Sequence, residues 1–301
     1  MPMGQLIKLE NYISRYQNDV YHYPGHFSRL KQENWKSLLD QWQQRQEELK
    51  LESTIEEKSS SSIFKRLNDL LKKDQTSEID YEQDSIPETE EQLKRFFLDS
   101  IFKFQLNWAS TTLTQMSFLD HNYHHDLRLK YFMQRFPDTY LFMYRPVFKL
   151  KNAAVDADII MITPIDVQVI NVVEMSSDHT IIVGDDRSWF SEHNRVKAKF
   201  LSPILSLKRT DKIIRSIFDF YGIEMPIKKV VLSRTNQIKF DLEPFQTQYI
   251  DRDQHESWLM RQRQLSSPLK HQQLKVAEVL LKHSDTVSVY RPEWDRNEGK
   301  E

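Results

Sequence analysis

Residues 156–174 read DADIIMITPIDVQVINVVE, and this stretch decides the fold. It contains two apolar runs, 158–163 and 166–174, that are short enough to form buried strands. Asp158 opens the first run and Glu174 closes the second. Neighbouring strands that deliver carboxylates close together can hold a divalent metal, and a metal beside a basic helix favours phosphodiester chemistry.

A helix and a further strand follow this stretch. Ser202-Pro203 is typical of a helix start, with serine as the N-cap and proline in the first turn, and Gly222 is a stop signal. We therefore predict a helix from residue 203 to about residue 221. The apolar run 227–232 then predicts another strand.

The segment before residue 156 predicts the start of the same domain. Apolar residues recur at helical spacing between residues 88 and 136. Residues 141–150 then change to a strand-like pattern, in which Pro146 favours a sheet edge or a bulge. The predicted order from residue 88 is helix, strand, strand, strand, helix, strand.

Composition divides the chain into four regions. A four-serine run and a stretch of carboxylates without Lys or Arg indicate a polar segment between two globular parts. The predicted regions are a helical N-terminal region (1–50), a polar, acidic and partly mobile connector (51–87), an α/β core (88–240), and C-terminal helices (241–301).

Several classes of protein are excluded by composition. The 301 residues include no cysteine, which excludes disulfides, cysteine-based zinc sites and thiol nucleophiles. The five glycines stand singly, whereas phosphate-binding loops need several together. No window approaches the roughly 20 apolar residues of a membrane span, and the N-terminus lacks a signal-peptide core. We expect a cytoplasmic protein with no membrane partner.

The net charge of −2 favours no particular partner, but the basic residues are clustered. They could contact nucleic-acid phosphates without sequence preference, or they could form an ordinary solvated face. Elsewhere, His121 and His125 could place two imidazoles on one helix face as metal ligands, although a polar surface is the simpler interpretation. The predicted backbone-contacting residues are Lys197, Lys199, Lys208, Arg209, Lys212 and Arg215.

The order of elements resembles the core of the PD-(D/E)XK nuclease superfamily, and more closely the nuclease-related domain (NERD) of bacterial proteins. The resemblance covers residues 140–232. It implies an α/β fold with a restriction-endonuclease-like core (helix, three strands, helix, strand) and added N- and C-terminal helices. The residues that carry it are the run 156–164, Val172-Val173-Glu174, Trp189, and Ser202-Pro203 opening a helix.

In such nucleases an Asp on the second strand and a Glu on the third bind Mg²⁺, which polarises the phosphate and activates a water. The resemblance therefore implies Asp158 and Glu174 as catalytic metal ligands. Asp156 is a further ligand, because strand side chains alternate with a period of two. The family's lysine two residues beyond the Glu is Ser176 here, so Lys208 is the candidate replacement.

We therefore expect a nuclease-related protein that hydrolyses nucleic-acid phosphodiesters with the help of Mg²⁺. The alternative is an inactive nuclease-fold protein that acts as a nucleic-acid or protein binding module. The N-terminal helices are the predicted site for a protein partner.

Overall fold

The computed structural model describes residues 1–52, 87–150, 153–265 and 267–291. The chain divides into two compact units, one made of Met1 and Gly25–Phe104, the other of Pro2–Pro24 and Gln105–Glu301. Most of the predicted connector lies outside the described residues.

The helices begin and end largely where local signals predict. In the predicted helix after Ser202, the serine side chain caps the Ile204 N–H, and Gly222 ends the helix in the left-handed region at φ +60°. Both signals are confirmed. The described α-helices are α1 (Tyr23–Glu52), α2 (Glu90–Trp108), α3 (Leu127–Arg135), α4 (Pro203–Tyr221), α5 (Arg252–Gln264) and α6 (His271–His283), with short 3-10 helices at Arg15–Gln17 and His121–His125.

The strands are short and mostly buried. The described strands are β1 (Gln5–Leu9), β2 (Gln115–Met116), β3 (Leu141–Tyr144), β4 (Val147–Leu150), β5 (Ala153–Asp156), β6 (Ile159–Ile162), β7 (Val167–Val172), β8 (Thr180–Ile182), β9 (Ser188–His193), β10 (Val196–Leu201), β11 (Ile227–Leu232), β12 (Gln237–Lys239), β13 (Thr247–Ile250) and β14 (Val289–Tyr290).

A six-stranded sheet in the order β1-β3-β6-β7-β11-β13 forms the centre of the larger unit. β6 is antiparallel to both β3 and β7, whereas β7, β11 and β13 are parallel to one another and β1 is parallel to β3. Five strands therefore point the same way, and their carboxyl ends lie at one edge of the sheet. Helix α4 immediately precedes β11 in the chain and packs on both β7 and β11. The protein is thus a mixed α/β protein.

A second sheet, in the order β10-β9-β8-β12, lies between β7 and α4 in the sequence and is completed by β12. The β8–β9 and β9–β10 pairs are antiparallel. Trp189 on β9 is fully buried and contacts Tyr249 of β13 edge-on, with ring centroids 5.4 Å apart. This aromatic contact fixes the small sheet against the large one.

Two parts of the chain differ from the predicted elements. Residues 5–9 fall in the predicted helical region but form β1, because their backbone pairs with β3 and every side chain is buried. The predicted strand 141–150 is two strands, since Arg145 adopts φ +51° and Pro146 ends the pairing of β3. The large sheet also extends beyond the predicted core, through β1 and β13.

The smaller unit is built from helices. Trp35 of α1 contacts Phe97 of α2 with ring centroids 5.3 Å apart, and the Trp42 indole N–H donates to the Pro87 carbonyl at 2.7 Å. Aromatic packing and one half-buried indole hydrogen bond therefore stabilise this pair of helices. In the described residues, no helix is both long and apolar enough to cross a membrane.

Candidate functional site

The site lies at the edge of the large sheet where β3, β7 and β11 end. In open α/β sheets, ligands bind outside the carboxyl ends of the strands. A cleft of about 320 Å³ opens there, and a smaller one of about 130 Å³ adjoins it through shared lining residues. Arg128, Asn171 and Val172 line both clefts. The larger cleft is otherwise lined by Val173, Glu174, Phe200, Leu201, Ser202, Pro203 and Ser206.

Asp158 immediately precedes β6 and lies in the smaller cleft. Its carboxylate accepts hydrogen bonds from Asn171 Nδ2 at 2.7 Å, Thr210 Oγ1 at 3.0 Å and Ser206 Oγ at 3.1 Å. Burial raises the pKa of Asp158, and these hydrogen bonds offset the rise only in part. The group is therefore a half-buried carboxyl surrounded by neutral donors.

The strand register decides which residue faces Asp158. Ile159 pairs with Ile170 across β6 and β7, so the next pair outward is Asp158 with Asn171. An amide, not a carboxylate, therefore lies opposite Asp158, and its Nδ2 donates to that carboxylate. Two residues beyond Asn171, where the alternation of a strand returns to the same face of the sheet, the chain has Val173.

Glu174 lies beyond the end of β7 and is held by Arg234. The Arg234 guanidinium donates from Nε to Oε1 at 2.5 Å and from Nη2 to Oε2 at 2.9 Å, a two-pronged ion pair. Burial pushes the pKa of Glu174 upward, but the hydrogen bonds and charge of Arg234 outweigh it and lower the pKa. Arg234 also lies 4.6 Å from the centre of the Tyr131 ring, whose hydroxyl contacts His255 Nε2 at 2.7 Å.

The three predicted metal ligands are not brought together. Asp156 is exposed and ends β5, which pairs with β4 in a separate two-stranded sheet, so it does not continue the face of Asp158. Asp158 is engaged by neutral donors and Glu174 by a guanidinium. Mg²⁺ requires accessible anionic oxygens. The residues at the predicted positions therefore do not fit a Mg²⁺ site.

The predicted basic residues have different surroundings. Lys208 pairs with Asp186 at 2.5 Å, so the predicted replacement for the nuclease lysine is engaged away from Glu174. Arg215 pairs with Asp211 on its own helix. Lys197 and Lys199 lie exposed on the edge strand β10, where lysines also protect a sheet edge from pairing with other chains. Of the remaining two, both exposed on α4, Arg209 acts electrostatically on Asp158 and Lys212 extends the basic helix surface.

Two arginines at this edge were not predicted from the sequence. Arg128, near the start of α3, lines both clefts, and Arg145 follows β3 and lines the smaller one. Within the described residues, neither guanidinium makes a hydrogen bond or an ion pair. Arg145 also holds a left-handed backbone at φ +51°, a strain that concentrates at functional sites. No local motif marks the two arginines, because the clefts are formed by five segments that are separate in the sequence.

The N-terminus of α4 completes the site. Ser202 caps this helix, and Ser202, Pro203 and Ser206 form one wall of the larger cleft. A helix start carries partial positive charge that favours anions. The larger cleft thus combines the Arg128 guanidinium, a helix start and the Ser206 hydroxyl, groups that can contact a phosphate, and Arg145 lines the adjoining smaller cleft.

Comparison with known proteins gives one partial relative. The chain is similar to an RNA 2′,3′-cyclic phosphodiesterase of Geobacillus stearothermophilus, with 36% identity over 115 residues. The match covers 34% of this chain and 36% of that protein, so the chain spans about a third of the relative's length. No family model and no solved structure matches the chain.

Proposed function

We propose that the α/β unit is a degenerate nuclease-related domain with a restriction-endonuclease-like core, and that it binds the phosphate backbone of nucleic acid. The strand sequence β3-β6-β7, the crossing helix α4 and the parallel strand β11 support the fold assignment. Asp158 at the start of β6 supports the link to the nuclease motif. The partial phosphodiesterase relative supports nucleic acid as the ligand.

One observation carries the binding function. The Arg128 guanidinium lies between the two clefts without a hydrogen-bond or ion-pair partner in the described chain, beside the start of α4. A half-buried cation without a partner is costly unless a ligand or water supplies the acceptor. Arginine contacts phosphate oxygens in two-pronged geometry, so a phosphate group fits this position.

The surroundings of the cleft suit a single strand. Phe200 lines the larger cleft and offers a ring on which a base could stack. Lys197 and Lys199 precede it on β10 and extend positive charge from the cleft along the exposed edge. Stacking and backbone charge together bind single strands with little sequence preference.

Binding without metal-dependent hydrolysis is the function that the residues support best. The position opposite Asp158 is Asn171, an amide, and the residue two places beyond Glu174, where the nuclease family carries lysine, is Ser176. Glu174 is neutralised by Arg234. These departures remove the second carboxylate and the amine that Mg²⁺-dependent cleavage requires.

Phosphodiester hydrolysis without a metal is the second candidate, and the name of the relative favours it. Burial raises the pKa of the Asp158 carboxyl, which is the direction of shift that a general acid requires. If cleavage occurs, the Asp158→Asn variant should lose it while keeping RNA binding.

Fluorescence anisotropy with a labelled single-stranded RNA of mixed sequence tests the binding function. We expect Arg128→Ala to weaken binding by about tenfold, in line with the loss of one charge-assisted phosphate contact. The slope of log K against log salt should also fall by about 0.7. Arg145→Ala should act in the same direction.

The matched control is Arg252→Ala, which removes an equal charge at the start of α5, where Arg252 pairs with Asp253 at 3.4 Å. This variant should bind RNA as the wild type does. Equal affinities for wild type, Arg128→Ala and Arg252→Ala would contradict binding at the cleft. The N-terminal helices remain a predicted site for a protein partner.

A further inference from the structure

A second cluster of titratable side chains lies on the small four-stranded sheet, away from Asp158 and Glu174. Asp178 and His179 lie in the turn that leads into β8, and His193 ends β9. Thr180 pairs with Glu192 in the antiparallel β8–β9 ladder, so the next pair outward is His179 with His193. The strand register therefore sets two imidazoles side by side at the end of the sheet.

The geometry of this cluster is that of a ligand set. Each oxygen of the Asp178 carboxylate lies 3.0 Å from a ring nitrogen, one from His179 Nδ1 and the other from His193 Nδ1. The two rings are stacked with centroids 4.9 Å apart. One ligand atom from each of the three residues lies within 4.8 Å of the other two. Among the described residues, this is the only group of three or more His, Asp or Glu side chains that meets this distance.

We propose that Asp178, His179 and His193 bind one zinc ion or a similar transition-metal ion. Zinc bonds of about 2.0–2.2 Å in tetrahedral geometry place neighbouring ligand atoms about 3.3 Å apart. The two oxygen–nitrogen separations of 3.0 Å are already close to that value. Three protein ligands leave the fourth position to water or to a ligand oxygen.

The imidazole nitrogens determine which metal is bound. Neutral histidine is a ligand for zinc, nickel and copper, whereas Mg²⁺ takes oxygen ligands. The cluster is therefore a different site from the magnesium site expected of nucleases, with a different metal preference. It does not depend on RNA binding at the cleft.

Bonds around the cluster hold the turn in place before any metal arrives. Asn236 Nδ2 donates to the carbonyls of Ser176 at 2.8 Å and His179 at 3.0 Å, and its Oδ1 accepts from the Met175 N–H at 2.8 Å. Such outer contacts orient metal ligands.

The three ligand side chains are accessible to solvent, and this accessibility sets the expected affinity for zinc. The His179 and His193 side chains are 29% and 39% exposed, so an ion can enter without opening the fold. Exposure also keeps water at the fourth position. We expect a dissociation constant in the micromolar range rather than the far tighter binding of enclosed structural zinc sites.

Isothermal titration of ZnCl₂ into the full chain, freed of its purification tag and treated with EDTA, tests the site. We expect one ion per chain, with the affinity reduced at least tenfold in His179→Ala and in His193→Ala. His121→Ala is the matched control, because the His121 and His125 rings are also close, at 5.3 Å, but belong to no such ligand group in the described residues. Magnesium should not compete with zinc.

A thermal-shift experiment guards against loss of folding in the variants. Zinc should raise the melting temperature of the wild type and of His121→Ala, but not that of His193→Gln, which keeps a polar side chain of similar length. Absence of zinc binding in the wild type would overturn the site. Equal zinc affinity in wild type and both alanine variants would also overturn it.

Discussion

Asp158 and Glu174 are the two carboxylates that the sequence assigns to one metal ion, and the structure holds them in opposite ways. Asp158 is surrounded by neutral donors, and burial raises the pKa of its carboxyl. Glu174 is locked to Arg234, which overcomes the effect of burial and lowers the pKa. Burial therefore disfavours the charged form of Asp158, whereas Glu174 is an anion whose charge is already balanced by Arg234.

This difference shows that the side chain next to each carboxylate, more than the carboxylate itself, decides whether this edge of the sheet can bind a metal ion. A nuclease site needs two anionic groups that share one metal. Here the register gives Asp158 an amide partner, and the turn after β11 gives Glu174 a cationic one. Nearby, the Arg128 and Arg145 guanidinium groups have no hydrogen-bond or ion-pair partner among the described residues, and this favours binding of an anion.

The largest expected effect comes from breaking the Glu174–Arg234 pair. Arg234→Met leaves the Glu174 carboxylate, only 15% exposed, without its counter-charge. We expect the free energy of unfolding to fall by about 2–4 kcal/mol, because a partly buried charge loses its partner. Urea denaturation measures the change.

The double variant Glu174→Met/Arg234→Met is the control for this prediction. Removing both charges should restore part of the lost stability, so the double variant should be more stable than Arg234→Met alone. A double variant whose destabilisation equals the sum of the two single effects would show that the ion pair is not the cause.

The next prediction is that the two carboxylates make the stability of the fold depend on pH in opposite ways. The pKa of Glu174 is lowered from 4.5 in the folded chain, so its stabilising effect is present above pH 4.5 and is lost as the pH falls through the lowered value. The pKa of Asp158 is raised above 3.8, so its effect is present below pH 3.8 and is lost as the pH rises through the raised value.

Unfolding measured between pH 3 and pH 7 should therefore show changes of opposite sign. Glu174→Gln should lose less stability on acidification than the wild type, and Asp158→Asn should lose more. Two variants with parallel pH profiles would contradict the contrast between the sites.

The smallest expected effect is that of Asp158→Asn at pH 7. The substitution removes a charge that is costly to bury, which favours folding. It also weakens the hydrogen bond from Asn171 Nδ2, which disfavours folding. The hydroxyl groups of Ser206 and Thr210 can accept hydrogen bonds from the new amide. We expect stability within about 1 kcal/mol of the wild type, measured by urea denaturation. A loss above about 3 kcal/mol would mean that the charge itself holds β6 to α4.

Local signals predicted several elements of the fold. Ser202-Pro203 and Gly222 set the ends of α4, and the apolar run 227–232 is β11. The strand β1 was not predicted, because its apolar residues also fit helical spacing and its pairing partner lies more than 130 residues away. Lys8, the fourth residue of this strand, is fully buried and donates from Nζ to Tyr12, Gln17 and Thr286, and no strand pattern indicates that.

The sequence located the strands that line the candidate site but not the neighbours of their side chains. The strands β6 and β7 and the residue Asp158 could be located from the sequence. The partner of Asp158 depends on the turn between those strands, and the pairing of Ile162 with Val167 sets Asn171 opposite. Arg128 and Arg145 come from other segments, so only the tertiary fold brings them to the clefts.

The most direct test of the central claim measures RNA binding and RNA cleavage together, in Mg²⁺ and in EDTA. Labelled single-stranded RNA is mixed with wild-type protein, Arg128→Ala and Asp158→Asn, then followed by anisotropy and on a denaturing gel. We predict binding that is similar with Mg²⁺ and with EDTA, weaker for Arg128→Ala, and without cleavage products. Cleavage that requires Mg²⁺ and disappears in Asp158→Asn would contradict the account.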